Sequence, residues 1–164
     1  MINLFITPSI IQQFVLKPEW GKEAYEKTLY PDKHKQEHNY FTKTGNRIHE
    51  KLGFNNNKRF YTTFPLKIDG KWYNVAMEGT PDHLNPLKEL KTLSYYKFVR
   101  DKYKEKVVEA ASYQLLGYMM LTEEDYGYVV LYCREGVIEE YSVVVHRDDK
   151  KFKEKVKEFF EYIL

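Results

Sequence analysis

Residues 79–94 read GTPDHLNPLKELKTLS, and the way this stretch folds decides what the rest of the chain can be. Asp82 follows a proline, Glu89 comes seven positions later, and Lys91 follows after one apolar residue. Asn85-Pro86 marks a turn, and LKELKTL reads as a strand. Side chains alternate faces along a strand, so Glu89 and Lys91 point one way and Leu90 points into the opposite layer. Asp82, on the far side of the turn, then sits beside Glu89. Taken alone the pattern also fits a solvated strand face. Asp69-Gly-Lys71, Asp148-Asp-Lys150 and Asp149-Lys-Lys151 share it, but they fall in a hairpin turn or at a helix start.

Working outward, RFYTTFPLKI and KWYNVAMEG flank Asp69-Gly70 and predict a hairpin. After the third strand comes a long helix over about Lys102 to Leu121. Two more strands follow, GYVVLYC and VIEEYSVVVH, joined by a turn at Arg134-Glu135-Gly136. A last helix begins near Asp148, with Phe152, Val156, Phe159, Phe160 and Ile163 on its apolar side. The first third reads helical. Thr7-Pro8 opens one helix, Lys17-Pro18 interrupts it, and a second runs from about Trp20 to Leu29. YPDKHKQEHN reads as a loop, and Thr42 to Leu52 as a further helix closed by Gly53, with Ile48 and Leu52 marking its buried side. This order predicts a single α/β domain over 1–164, one mixed sheet with helices on both faces. Residues 1–55 form its helical N-terminal part, and 56–164 its sheet core with the long and C-terminal helices.

Composition bounds the function. The chain has 164 residues, 43% hydrophobic and 30% charged, enough for one domain with a normal core. A net charge of +2 makes any nucleic-acid surface a local patch. The single cysteine, Cys133, supports neither a disulfide framework nor a thiolate-held cluster. No signal peptide or membrane span is read, so a cytoplasmic protein that does not engage membranes is expected.

Two carboxylates side by side repel each other unless a divalent cation lies between them, and oxygen ligands suit Mg²⁺ or Mn²⁺. A lysine nearby can orient an attacking water. These are the parts that phosphodiester hydrolysis needs. On the long helix, Val107, Ala111, Gln114, Tyr118 and Leu121 step by four and three along one sheet-facing stripe. Gln114 on that stripe needs hydrogen-bond partners, and a satisfied core glutamine fits the spacing equally well. His49 lies at the border of its helix, where it either reaches a metal or stays solvated. LSYYKFVRDKYKEK gathers Lys97, Arg100, Lys102, Lys104 and Lys106 beside Tyr95, Tyr96 and Phe98. Such a patch suits a phosphate backbone with bases stacked on the rings, or else a solvated cap over core aromatics.

The order His49, Gly79 to Asp82, Glu89-x-Lys91, Gln114-x-x-x-Tyr118 resembles the RecB-type branch of the PD-(D/E)xK nuclease superfamily. It is similar above all to the CRISPR-associated RecB-like exonucleases and related small viral and archaeal nucleases. The likeness runs from about Thr7 to about Val145. It implies a restriction-endonuclease-like core, a central mixed β-sheet flanked by helices. It implies His49, Asp82, Glu89 and the Leu90 carbonyl as ligands of Mg²⁺ or Mn²⁺, and Lys91 as the catalytic lysine. Gln114 and Tyr118 would support the site and contact DNA, alongside Tyr96, Lys97, Arg100 and Lys102. Many relatives hold an iron–sulfur cluster with four cysteines, one just before a proline near the N-terminus. Here Lys17 precedes Pro18, and Cys133 is the sole cysteine, so no such cluster is expected.

The function expected is a metal-dependent exonuclease on DNA that is single-stranded or has free ends. The alternatives are a structure-specific endonuclease such as a junction resolvase, or an inactive DNA-binding or adaptor protein of the same fold. Resolvases often lack the Gln-x-x-x-Tyr helix, and the carboxylates and lysine argue against an inactive protein. Assembly as a homo-oligomer is left open.

Overall fold

In the computed structural model, residues 2–31, 49–133 and 141–164 are described, apart from the side chain of Phe98. Most of the expected loop at 30–39, most of the helix expected from Thr42, the turn at 134–136 and the first residues of VIEEYSVVVH lie outside them.

The chain opens with a strand, β1 (Ile2–Ile6), where the sequence reading had only helices. β1 lies parallel to β3, with Leu4 opposite Val75 and Ile6 opposite Met77. Helix α1 (Pro8–Leu16) starts at Thr7, whose hydroxyl accepts the Ile10 N–H at 3.2 Å. Lys17 ends α1 and Pro18 begins α2 (Pro18–Leu29), because proline suits the first turn, where its missing N–H would be unpaired anyway.

β2 (Phe60–Ile68) and β3 (Lys71–Gly79) form the expected hairpin. Asp69 and Gly70 sit at φ +47° and +77°, the left-handed conformation that suits a tight two-residue loop. Then come β4 (Lys88–Leu93), a short helix α3 (Tyr95–Phe98) and the long helix α4 (Asp101–Thr122). β5 (Tyr126–Cys133) runs parallel to β4, and β6 (Tyr141–His146) antiparallel to β5. Helix α5 (Asp149–Ile163) closes the chain, with the Asp148 carboxylate accepting the Lys151 N–H at 3.1 Å.

The expected mixed sheet is present as two three-stranded mixed sheets, ordered β1-β3-β2 and β4-β5-β6. The break falls at residues 80–87, between β3 and β4, where a cis Asn85-Pro86 bond and a positive φ at Asn85 turn the chain out of extended geometry. One large core joins both sheets to α1, α4 and α5. Phe64, Leu66 and Ile68 enter it from β2, Val75 and Met77 from β3, Val129 and Leu131 from β5. Phe152, Val156, Phe159 and Phe160 enter it from α5. Phe159 sits edge-on to Phe14 of α1 at 5.3 Å and to Tyr25 of α2 at 5.6 Å, locking the three helices together. A smaller cluster of Phe54, Leu90 and Val130 covers the other face of β4 and β5.

Among the described residues, no helix is long and apolar enough to cross a membrane.

Candidate active site

β4 separates its side chains as the alternation requires. Leu93 enters the main core, while Leu90 packs with Phe54 and Val130 on the opposite face. Glu89 and Lys91 share the Leu93 face, which α4 covers. Glu89 is 3% exposed, so this is no solvated strand face. Its Oε1 lies 3.4 Å from Lys91 Nζ, and its Oε2 has no hydrogen-bond partner among the described residues. Burial pushes the Glu89 carboxyl up to about 8, and the negative charge of Asp82 adds to this. The Lys91 ammonium opposes the shift without cancelling it.

Asp82 is reached from β3 through Gly79, Thr80 and Pro81. Its Oδ2 accepts the Leu90 N–H at 2.9 Å. In an extended strand the N–H and C=O of one residue point to the same edge. Leu90 therefore turns its carbonyl toward the Asp82 edge of β4 and away from β5. His83 shapes the turn between the two carboxylates. Its Nδ1 lies 2.8 Å from the Pro86 carbonyl, its own carbonyl accepts the Lys88 N–H at 3.1 Å, and its ring packs against Phe54. The sequence offered no signal for this, since histidine spacing alone says nothing about such a turn.

His49 reaches the site, with Nδ1 at 3.8 Å from Asp82 Oδ1. Burial lowers its pKa; Asp82 works against that and Lys91 reinforces it, so the imidazole is held toward its neutral, metal-binding form. The helix that carries His49 ends as expected at Gly53, φ +81°, where the Phe54 N–H bonds back to the His49 carbonyl at 2.7 Å. Of the two residues expected on its buried side, Ile48 lies outside the described residues and Leu52 differs from the expectation. Leu52 is exposed, and Phe54, just past the cap, is the residue that goes inside.

On α4, Ala111, Gln114, Tyr118 and Leu121 are buried along one stripe, as their spacing predicts. Gln114 Nε2 donates to the Tyr118 hydroxyl at 3.2 Å, while Gln114 Oε1 has no partner among the described residues. Burial, together with the charges of Glu89 and Asp82, raises the Tyr118 phenol well above its usual range, so it remains an O–H donor beside the carboxylates. Gly79 makes room for that ring. A Cβ there would stand 2.9 Å from Tyr118 Cε1, and 3.2 Å from both Leu121 Cδ1 and Pro8 Cδ.

The structure thus gathers His49, Asp82, Glu89, Leu90, Lys91, Gln114 and Tyr118 at the seam between the sheets. It does not present a ready cage. Among the described residues, no three His, Cys, Asp or Glu side chains stand together as a metal cluster, and Glu89 points one oxygen at Lys91.

The basic segment begins at Ser94, three residues or about 10 Å of extended strand beyond Lys91. Tyr95 and Tyr96 are surface side chains, 48% and 57% exposed, not core aromatics. Lys97, Arg100 and Lys102 are exposed too. The Arg100 guanidinium lies 3.8 Å from the centre of the Tyr96 ring, so one face of that ring is already covered. Cys133 is buried in β5.

Solved exonucleases share this fold. The chain is similar to a phage-related exonuclease from Haemophilus somnus 129PT, with a TM-score of 0.62 and 17% identity over 97% of this chain and 91% of that one. It is likewise similar to the alkaline exonuclease LHK-Exo from Laribacter hongkongensis (TM-score 0.55, 17% identity, 96% and 85% of the two chains). A third similar structure is that of SSO0001 (TM-score 0.55, 16% identity, 98% and 76%). No family model and no curated protein sequence matches the chain.

Proposed function

We propose that the protein is a metal-dependent nuclease that hydrolyses phosphodiester bonds of DNA, acting as an exonuclease on single strands or free ends. One observation carries the reading. Glu89 is a buried carboxylate with an unpartnered oxygen, set beside Asp82 and Lys91 at the seam of a fold shared with solved exonucleases. Ionising a buried carboxyl beside a second carboxylate is costly even with one lysine nearby, and a divalent cation would offset that cost.

The donor set fits such an ion. The Asp82 and Glu89 carboxylates, the Leu90 carbonyl and the neutral His49 imidazole are the groups that would hold Mg²⁺ or Mn²⁺. When bound, the cation supplies Lewis-acid polarisation of the phosphate and neutralises developing charge. Lys91 orients the attacking water and stabilises the negative charge gathering on the phosphoryl oxygens. Gln114 and Tyr118 fix the floor of the site and donate hydrogen bonds to the bound strand. Tyr96, Lys97, Arg100 and Lys102 take the phosphate backbone and bases beyond the cleavage point.

The test is end-labelled single-stranded, double-stranded and circular DNA, each incubated with Mg²⁺, Mn²⁺ or EDTA. Shortening of linear DNA from its ends with metal, and intact circles, is the expected result. Cleavage of circles would replace the exonuclease reading with an endonuclease. Absence of cleavage throughout would remove the enzymatic reading.

A further inference from the structure

The stretch FNNNK at 54–58 reads only as a turn, and the site described above uses only its Phe54. Yet half-buried Asn56 bonds to both sides of the Asp82 segment. Its backbone N–H donates to the Asp82 carbonyl at 3.2 Å. Its side-chain Nδ2 donates to the Pro81 carbonyl at 2.9 Å and to the Lys58 carbonyl at 3.3 Å. Its Oδ1 accepts the Lys58 N–H at 3.2 Å. One side chain therefore closes its own turn and ties it to a backbone 25 residues further along. Asp82 is gripped twice: Asn56 takes the carbonyls on either side of its amide, and the Leu90 N–H takes its carboxylate.

The need for such a grip follows from the topology. Asp82 lies outside both sheets, in the break between β3 and β4, so its backbone is held on one side by the isolated His83–Lys88 bridge and has no ladder on the other. Without a second anchor the Pro81–Asp82 peptide could shift, and the carboxylate with it. We infer that Asn56 is a positioning residue that sets where Asp82 presents its carboxylate to the divalent ion. The inference rests on the proposed role of Asp82 as a ligand. Partners that orient ligands without touching the ion typically change metal affinity by about 10- to 100-fold when removed.

Asn56→Asp separates this role from simple turn formation. The variant keeps an oxygen to accept the Lys58 N–H, the shorter of the two bonds within the turn, but it loses the donor to the Pro81 and Lys58 carbonyls. Asn56→Ala loses both. Mn²⁺ affinity is measured by calorimetry without DNA, beside thermal unfolding in EDTA and single-turnover cleavage. The expected result is that both variants bind Mn²⁺ about 10- to 100-fold more weakly, with cleavage reduced in step, and that Asn56→Asp unfolds within a few degrees of wild type. Wild-type Mn²⁺ affinity in Asn56→Asp would overturn the inference while leaving the nuclease reading intact. A wild-type protein that binds no Mn²⁺ would overturn both, and if Asn56→Ala does not fold, Asn56→Asp alone decides.

Discussion

Replacing Glu89 with glutamine should stabilise the metal-free protein, and the gain should grow with pH. The folded protein holds the Glu89 proton up to about 8, while an unfolded chain releases it near the ordinary 4.5. Between those values the folded state binds a proton that the unfolded state does not, so stability falls as pH rises through this window. Below about 4.5 the penalty is absent; above about 8 it is fully present. At about 1.4 kcal/mol per pH unit, the interval caps the penalty near 5 kcal/mol. Glutamine removes it but leaves an amide facing the Lys91 ammonium, whose side chain is 22% exposed and can turn to water. A net gain of about 2 kcal/mol at pH 9 is the reasonable scale, or roughly 4–8 °C in a chain of this size. The assay is thermal unfolding of both proteins in EDTA at pH 5, 7 and 9, repeated with Mn²⁺. The difference should be small at pH 5 and widest at pH 9. Mn²⁺ should then raise the wild-type midpoint and leave Glu89→Gln unmoved. A variant less stable than wild type at pH 9 in EDTA, or a difference that ignores pH, would refute the reasoning.

Lys91→Ala should lower single-turnover cleavage by about 10²- to 10⁴-fold while DNA affinity in Ca²⁺ stays close to wild type, because its contact is made mainly in the transition state; an unchanged cleavage rate would exclude that role. Gly79→Ala should cost about 1–3 kcal/mol through overpacking and reduce cleavage by displacing Tyr118. Thermal unfolding and cleavage read the two effects, and a variant matching wild type in both would show that the ring has slack. Lys97→Ala and Lys102→Ala should weaken binding to all DNA sequences alike and lower the salt dependence of binding, as binding titrations across a salt series would reveal.

The strand order from β2 onward could be read from the sequence because each element carries a local signature. Asp69-Gly70 between alternating runs, the 3.6-residue stripe through Gln114 and Tyr118, and the Asp148 cap need no distant information. β1 could not be read that way. INLFI is a five-residue stretch, apolar except for Asn3 and without regular alternation, directly before the Thr7-Pro8 helix start. Its partner β3 lies some 70 residues away in the chain. The division into two sheets is hidden for the same reason, since it depends on the course of 80–87 in space. Within the site, residue types and spacing pointed to the carboxylates and lysine. Burial did not show, because Glu89-Leu-Lys91 looks solvated until α4 is laid over it. Asn56 and His83 act through backbone carbonyls, and such contacts leave no mark in a motif.

The break between the sheets has a mechanical consequence. Asp82 hangs from the end of one sheet and Glu89 stands at the start of the other. The gap between their carboxylates is therefore a joint whose width depends on how the two halves lean. That lean is wedged by Pro8, which lies against both Gly79 and Gly117, and by Phe152, which also lies against Gly117. Bulk added at Gly117 would pry the joint open, and a cation gripped by both carboxylates would act as the rivet that closes it.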